Sequence, residues 1–480
     1  MVVAAWAGRA EAQTPSAELA AIQRGVVEAI ARAEKSVVAI ARVQRERPGQ
    51  RAPLEPRPDP FGGRPAATVP PPRPTDPDFF PDELAVGVVI DRGGLVLTAA
   101  HVLAEESDYY VTAPRRPTFQ AKVLAADPRS DLAVLAPAES AESAAGDWVP
   151  MALGDADALK KGDFVIALGN PYAIRRDGQP SASWGVVANL ARKAPPNPTE
   201  EDPTGKSTVH HFGTLIETDA RLNMDTSGSP LVNLQGEMVG MATAIPSVLG
   251  FQASAGYAMP VDATFRRALD SLRQGREVEY GFLGIQLGGS AQNKPASGPL
   301  GARVERVIPG LPAARHGLKS GDVILAVNGV AVRDADELVR QISRYPLETA
   351  VKLALRRGDR QLDVEVPLVK LRVRGRRIVT AEDPPWRGLR VDYATAVQEA
   401  YPAAAGFPLG EALAVINVEQ GSPAWEAGLR PGMLITHVER SPVRTPKQFR
   451  QAVAAKTGPV SLRLLAEGGE SAERTIAAGK

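Results

Sequence analysis

Three residue types in this chain could together perform nucleophilic catalysis on a carbonyl: a serine, a histidine and an aspartate. Ser227 lies in a short turn just before an apolar run, and the glycine that follows it lets backbone approach a bound carbonyl closely. A serine hydroxyl is a poor nucleophile until a base removes its proton. His101 is the candidate base, and Asp131 is the candidate carboxylate that would orient it.

Each of these side chains is predicted at a junction between a strand and a loop. His101 follows the apolar run 94–97, and Asp131 stands at the start of the apolar run 132–135. A single histidine is most often structural, and an aspartate before a strand is most often a turn residue. The chain order His, Asp, Ser, with each member at such a junction, favours a catalytic triad over three unrelated residues.

The other histidines do not suggest a second centre. His210 and His211 are adjacent, so they cannot share one helix face as metal ligands, and we interpret them as loop residues. His316 and His437 are predicted to lie on the surface.

Composition indicates a protein of several globular domains. The chain has 480 residues, of which 44% are hydrophobic and 23% are charged. A net charge of +1 argues against nucleic acid or an anionic membrane as the main partner. The absence of cysteine excludes disulfides and thiol catalysis, and no run of residues is apolar enough for a membrane span.

The N-terminal half reads as a helix and many short strands. Helical spacing within 17–43 passes into a strand, and apolar runs of strand length recur from 84 to 268, which predicts an all-β barrel or sandwich. A Pro/Gly/Arg-rich stretch at 47–81 is predicted to be a long loop. Residues 1–16 fit either the remnant of a signal peptide or an ordinary frayed terminus.

The C-terminal part contains two copies of one module. The segment 311–324 aligns with 422–435 at an offset of 111 residues, and the same offset places Leu338 and Ile342 on Phe449 and Val453. Repetition at this length means duplicated domains rather than a solenoid. We call 280–371 the first module and 386–477 the second module.

The region 17–275 resembles a trypsin-like serine protease of the HtrA (Deg) family, and the two modules resemble PDZ domains. The resemblance rests on ordered motifs, which are Thr98-Ala99-Ala100-His101, Asp127-Pro128-Arg129-Ser130-Asp131, Leu153-Gly154-Asp155, Ala167-Leu168-Gly169-Asn170-Pro171, Thr218-Asp219-Ala220 and Gly281-Phe282-Leu283-Gly284-Ile285. It implies a mostly β chain in which a double β-barrel protease domain precedes two α+β PDZ domains.

The resemblance assigns roles to particular residues. It implies His101 as general base, Asp131 as its orienting carboxylate and Ser227 as nucleophile, with the backbone N–H groups of Asp225 and Ser227 forming the oxyanion hole. It also implies an enzyme without a cofactor or metal, located in the periplasm or otherwise outside the cytoplasm. Misfolded proteins would be its substrates, and it would form a homotrimer or a larger homo-oligomer.

One departure from the family concerns the oxyanion hole. The family has glycine where this chain has Asp225. A carboxylate about 6 Å from a developing oxyanion, at an effective dielectric of about 20–40, would slow the reaction about 10- to 100-fold. Two functions therefore stay open: a slow serine endopeptidase, or a chaperone or peptide-binding scaffold that retains the triad.

The modules are expected to bind peptide C-termini by adding them as a strand, with loop N–H groups holding the terminal carboxylate. In the first module the matching loop and strand comprise Phe282, Leu283, Gly284 and Ile285, and the groove wall is a helix that carries Leu338 and Ile342. These two helix residues could equally be core. The second module has the weaker match Arg387-Gly388-Leu389-Arg390-Val391.

Overall fold

The computed structural model describes residues 16–45, 73–76, 79, 81, 83–138, 146–169, 178–200, 202, 204–222, 226–243, 256–288, 301–397, 409–465 and 471–478. Most of the predicted long loop, and residues 1–15, lie outside these ranges. Among the described residues, no helix combines the length and the apolar character that crossing a bilayer requires.

The chain begins with helix α1 (Ala17–Ala33), whose N-terminus is capped by the Ser16 side chain accepting the Leu19 N–H. A 3-10 turn leads from α1 directly into strand β1 (Val37–Gln44). The predicted passage from helix to strand is therefore confirmed.

A first six-stranded barrel follows, closed by pairing of β5 with both β4 and β6. Its remaining strands are β2 (Glu83–Val89), β3 (Val96–Ala99), β4 (Ser107–Thr112), β5 (Phe119–Asp127) and β6 (Leu132–Pro137). Its interior is filled by small and branched apolar side chains such as Val88, Leu97 and Val134.

A second closed barrel of six strands completes this half of the chain. Its strands are β7 (Phe164–Gly169), β8 (Ser181–Arg192), β9 (Leu215–Thr218), β10 (Pro230–Val232), β11 (Met238–Ala242) and β12 (Gly256–Pro260). Helix α2 (Ala263–Leu272) then packs its buried face against β5 and β6 of the first barrel, with Asp262 capping its start.

The first module is an antiparallel sheet covered by one longer helix. Its elements are β13 (Gly281–Phe282), β14 (Ile285–Leu287), β15 (Ala302–Val307), α3 (Pro312–Arg315), β16 (Val323–Val327), β17 (Val330–Ala331), α4 (Ala335–Ser343), β18 (Ala350–Arg357), β19 (Arg360–Pro367) and β20 (Val369–Lys370). β14 forms the edge of the sheet.

The second module repeats this arrangement, as the duplication predicts. Its elements are β22 (Leu389–Tyr393), β23 (Leu413–Val418), α5 (Pro423–Glu426), β24 (Leu434–Val438), β25 (Ser441–Pro442), α6 (Pro446–Val453), β26 (Val460–Leu465) and β27 (Ser471–Ile476). Helices α4 and α6 occupy equivalent places, and Leu338, Ile342, Phe449 and Val453 are all buried.

The segment that connects the two modules contacts the first barrel. Strand β21 (Ile378–Val379), which we call the linker strand, pairs antiparallel with β5 of the first barrel at Ala125 and Ala126. The Thr380 hydroxyl donates to the Leu124 carbonyl at 2.7 Å. The connection thereby adds a seventh strand to the first barrel's sheet.

Ion pairs also hold the domains together. Asp336 on α4 accepts hydrogen bonds from Lys193 at 2.7 Å and Lys206 at 2.6 Å, both between β8 and β9. Lys370, at the end of the first module, reaches Asp392 of the second module at 2.7 Å and Glu277 at 2.9 Å. The mostly β fold with two barrels and two α+β modules is confirmed, while the domain bounds given above stay predictions.

Candidate active site

His101 and Asp131 meet because two loops of the first barrel end beside each other. His101 lies in a 3-10 turn (Ala100–Val102) directly after β3, and Asp131 lies directly before β6, which pairs with β3. The Asp131 carbonyl accepts the Ala100 N–H at 2.9 Å. The ladder between the two strands therefore fixes the distance between the imidazole and the carboxylate.

The carboxylate of Asp131 holds both the backbone and the ring of His101. One oxygen accepts the His101 N–H at 2.9 Å, and the other accepts the ring Nδ1–H at 2.7 Å. Because a carboxylate only accepts, this contact places the proton of a neutral imidazole on Nδ1 and leaves Nε2 as a base.

Ser227 completes the group. Its hydroxyl oxygen lies 2.9 Å from His101 Nε2, so the hydroxyl can donate its hydrogen bond to the unprotonated nitrogen. The Ser227 side chain is buried, whereas about a third of the His101 side chain is exposed. A substrate could thus approach the serine across the histidine ring, in the cleft between the barrels.

The turn around Ser227 depends on the glycine after it. The Ser227 carbonyl accepts the Val86 N–H at 3.0 Å, and the Gly228 N–H donates to the Ala242 carbonyl at 3.0 Å. Gly228 has φ of +88°, and a Cβ there would lie 2.0 Å from the Val86 carbonyl oxygen. Only glycine fits a position with this backbone conformation and so little space.

The electrostatic surroundings of His101 favour its protonated form. Burial alone would lower the pKa of His101, but the charge of Asp131, its hydrogen bond to the ring and the charge of Glu83 together raise that pKa above 6.5. The base is therefore stronger than an isolated imidazole, as proton abstraction from a serine requires.

Only part of the expected oxyanion hole can be located. Asp225 lies outside the described residues, so its position is still only a sequence-based prediction. Among the described residues, no acceptor takes the Ser227 N–H, and this group is the one that is expected to donate to a developing oxyanion beside the hydroxyl.

The interpretation of His210 and His211 as loop residues is wrong. Both are buried in a 3-10 helix (Val209–Phe212). The His210 Nε2–H donates to the Ser130 carbonyl at 3.1 Å, and burial lowers the pKa of His210 to about 4. His210 is thus neutral and directly behind the turn that carries Asp131. Sequence analysis did not identify this position of His210, because the residues that bury it are distant in the chain.

The expected groove residues of the first module divide into two sets. Leu338 and Ile342 on α4 are buried in the module's core together with Leu283 and Ile285. Phe282 instead packs against an apolar cluster that includes Ala394 of the second module. Their role in peptide binding stays a prediction.

The backbone of this loop has the donors that a terminal carboxylate needs. Gly284 adopts φ of +86°, which turns the chain between β13 and β14. Within the described ranges, the N–H groups of Leu283 and Gly284 meet no acceptor, and the outer edge of β14 pairs with no strand. Both features suit a peptide added alongside β14.

In chemical terms, the arrangement is suited to acyl transfer. It provides an oriented base, an adjacent hydroxyl and a neighbouring backbone donor. In the parts of the chain that the structure covers, no three or more His, Asp or Glu residues are grouped so that they could hold a metal ion.

Comparison with known proteins gives matches along most of the chain. The model of a trypsin-like peptidase domain matches residues 85–241, and PDZ domain models match residues 281–368 and 415–466. These matches cover most of the first barrel, much of the second barrel, the first module and the central part of the second module.

Two curated relatives are similar over about four fifths of this chain. One is the "probable periplasmic serine endoprotease DegP-like" of Chlamydia trachomatis, 30% identical over 80% of this chain and 72% of its own length. Another is the "periplasmic pH-dependent serine endoprotease DegQ" of Escherichia coli, 29% identical over 82% of both chains. A solved structure, "HtrA-type protease AlgW with decapeptide", covers 72% of this chain and 98% of its own, with 22% identity and a TM-score of 0.49.

Proposed function

Because this chain belongs to the HtrA (Deg) family of serine proteases, we propose that its triad is Ser227, His101 and Asp131. The chain is a serine endopeptidase whose relatives are periplasmic endoproteases. The observation that carries the residue assignment is the continuous path of hydrogen bonds from the Asp131 carboxylate through both ring nitrogens to the Ser227 oxygen, at 2.7 and 2.9 Å.

These residues would cleave a peptide bond in two steps. His101 Nε2 takes the proton of Ser227 while the hydroxyl oxygen bonds to the peptide carbonyl carbon, and Asp131 stabilises the imidazolium that forms. The imidazolium then gives its proton to the leaving amine, and an acyl-enzyme remains. Water attacks the ester carbonyl carbon as His101 Nε2 takes a proton from the water. The imidazolium then returns that proton to the Ser227 oxygen, and the acyl group leaves as a carboxylic acid.

The Ser227 and Asp225 N–H groups are the proposed oxyanion donors. The Asp225 side chain opposes the negative charge that develops there, so we propose an enzyme slower than one with glycine at this position. The same substitution is the observation that favours the second candidate function, a chaperone or peptide-binding scaffold that does not rely on catalysis.

The modules bind peptides, and we propose that they bind peptide C-termini. In the part of the chain that the structure describes, the N–H groups of Leu283 and Gly284 have no acceptor and the outer edge of β14 pairs with no strand, and both observations support this in the first module. We further propose that misfolded periplasmic proteins are the substrates, that no cofactor takes part, and that the chain forms homotrimers or larger homo-oligomers.

The test compares wild type with Ser227→Ala and Asp225→Gly. We expect wild type to cleave unfolded casein and to be labelled by a fluorophosphonate, and Ser227→Ala to do neither. Asp225→Gly should raise the rate about 10- to 100-fold. If wild type and Asp225→Gly are both inert while wild type still suppresses aggregation as well as Ser227→Ala does, the scaffold function replaces the enzyme.

A further inference from the structure

Asp131, the proposed orienting residue of His101, needs other residues to hold its position. Asp131 has φ of +58°, a left-handed conformation that a non-glycine residue seldom adopts without support. Its carboxylate must accept both the backbone N–H and the ring Nδ1–H of His101. The residues around Asp131 must therefore maintain both the strained backbone and the direction of the side chain.

Within the turn that carries Asp131, the support comes from Asp127. We call residues 127–131 the Asp131 turn. One oxygen of the buried Asp127 carboxylate accepts both the N–H of Ser130, at 2.8 Å, and its hydroxyl, at 2.6 Å. The Ser130 carbonyl accepts the His210 Nε2–H on the other side. Ser130, next to Asp131, is thus held at three of its polar atoms.

A tyrosine from outside this region makes a further bond to Asp127. Tyr280 is fully buried, and its hydroxyl donates to the same Asp127 oxygen at 2.5 Å. Its ring lies 5.2 Å from the Arg129 guanidinium, which is also buried within the turn. Among the described residues, Tyr280 is the one donor to Asp127 that lies outside the Asp131 turn.

The position of Tyr280 in the chain makes this bond informative. Tyr280 is the first residue of the first module and directly precedes Gly281, where β13 begins. Its hydroxyl therefore joins the entry to the peptide-binding loop at 282–285 to the turn of the first barrel that carries Asp131. A buried carboxylate that loses a donor moves or takes up a proton, because an unsatisfied charge is costly inside a protein.

We propose that Tyr280 is a positioning residue for the triad: its hydroxyl fixes Asp127, and through Asp127 and Ser130 it holds Asp131 against His101. The inference rests on the triad proposed above. Tyr280 contacts neither the substrate nor the reacting atoms. It acts by setting the distance and direction of the contact between Asp131 and the imidazole.

Tyr280→Phe is the informative variant because it removes the hydroxyl and leaves the buried ring. We expect kcat on a chromogenic peptide to fall about 10-fold with KM within about 2-fold, since a small misplacement of a catalytic group is costly in rate. The acid limb of the kcat/KM profile should also move to lower pH, because a looser Asp131 contact raises the His101 pKa less.

Tyr393→Phe is the matched control. The buried Tyr393 also donates its hydroxyl to a carboxylate of another domain, Glu348 at 2.9 Å, but this bond joins the two modules. We expect wild-type kcat and an unchanged pH profile for this variant. An equal loss of activity in both variants would overturn the proposal, because it would reflect a general loosening of the domains.

Asp127→Ala tests the same hydrogen bond from the other side, because it removes both acceptor oxygens, and it covers the case in which Tyr280→Phe folds poorly. It should reproduce the fall in kcat and the shift of the acid limb, and the double variant should lose no more activity than Asp127→Ala alone. Wild-type kcat and pH profile in Tyr280→Phe or in Asp127→Ala would overturn the proposal while the triad stands. An inert, unlabelled wild type would instead refute the proposed enzyme itself.

Discussion

At the scale of single residues, Gly228 has no space for a side chain beside Ser227. We expect Gly228→Ala to lower the free energy of unfolding by about 1–3 kcal/mol and to abolish activity, because the added methyl group meets the Val86 carbonyl and displaces Ser227. Urea unfolding and fluorophosphonate labelling measure the two effects.

Gly162→Ala is the control for this prediction. Gly162 also has positive φ, at +93°, but a Cβ there would meet nothing within 4 Å. The Gly162→Ala variant should be destabilised only by its backbone conformation, and it should keep its activity. Similar labelling of the two variants would show that the space around Gly228 does not matter.

His101 leads to a prediction about pH. Since Asp131 and Glu83 raise the pKa of His101 above 6.5 despite its burial, the protonated and inactive form persists to higher pH. The acid limb of kcat/KM should therefore lie above pH 6.5 and activity should increase as pH rises through it. Glu83→Gln, which keeps the triad, should move the limb to lower pH. A limb at or below 6.5 in wild type would contradict the assignment of His101 as the base.

At the scale of elements, the linker strand shows how a connection becomes part of a barrel. Thr380→Val removes the hydroxyl that donates to Leu124, a bond worth about 1 kcal/mol net. In a Ser227→Ala background, amide hydrogen exchange across 371–385 should become about 5-fold faster.

Thr395→Val provides the comparison. The Thr395 hydroxyl donates to the Lys370 carbonyl, also at 2.7 Å, but this bond lies at the second module. It should leave exchange in the linker strand unchanged. Equal protection of the linker strand in wild type and Thr380→Val would mean that its backbone hydrogen bonds, to β5 and to the Gly275 carbonyl, hold it without the Thr380 hydroxyl.

The sequence allowed the local elements to be predicted but not the contacts between distant ones. Helical spacing located α4 and its equivalent α6, and strand-length apolar runs indicated the barrels. The proposed triad is recognisable in the sequence because each member lies in a motif. Tyr280 and His210 have no such motif, because their roles come from segments far apart in the chain packing around the Asp131 turn. The linker strand was missed because it has only two residues.

At the scale of the whole molecule, Lys370 joins three parts of the chain. Its side chain is 3% exposed and lies within ion-pair distance of Glu277, Glu279 and Asp392. Burial alone would lower the Lys370 pKa, but the three carboxylates raise it. The lysine thus stays charged between the segment that precedes the first module and both modules.

We expect Lys370→Met to destabilise the protein by about 3–5 kcal/mol, because it leaves carboxylates without their partner. Calorimetry should show a lower Tm, and small-angle scattering should show a larger radius of gyration as the second module separates.

Lys352→Met gives the baseline, because Lys352 pairs with Asp363 on the surface, where both side chains are more than half exposed. It should leave Tm close to that of wild type, because an exposed ion pair contributes little to stability. Equal destabilisation by the two substitutions would exclude Lys370 as a junction between domains.

The pairing of β21 with β5 also determines where this protein can be shortened. A chain ending at residue 371 lacks the second module and exposes the backbone of Ala125 and Ala126, whereas a chain ending at 385 lacks the same module and keeps that edge covered. An uncovered strand edge readily recruits a strand from another molecule. If a form that ends at residue 371 aggregates, the cause would therefore be the position of the truncation and not the loss of the second module.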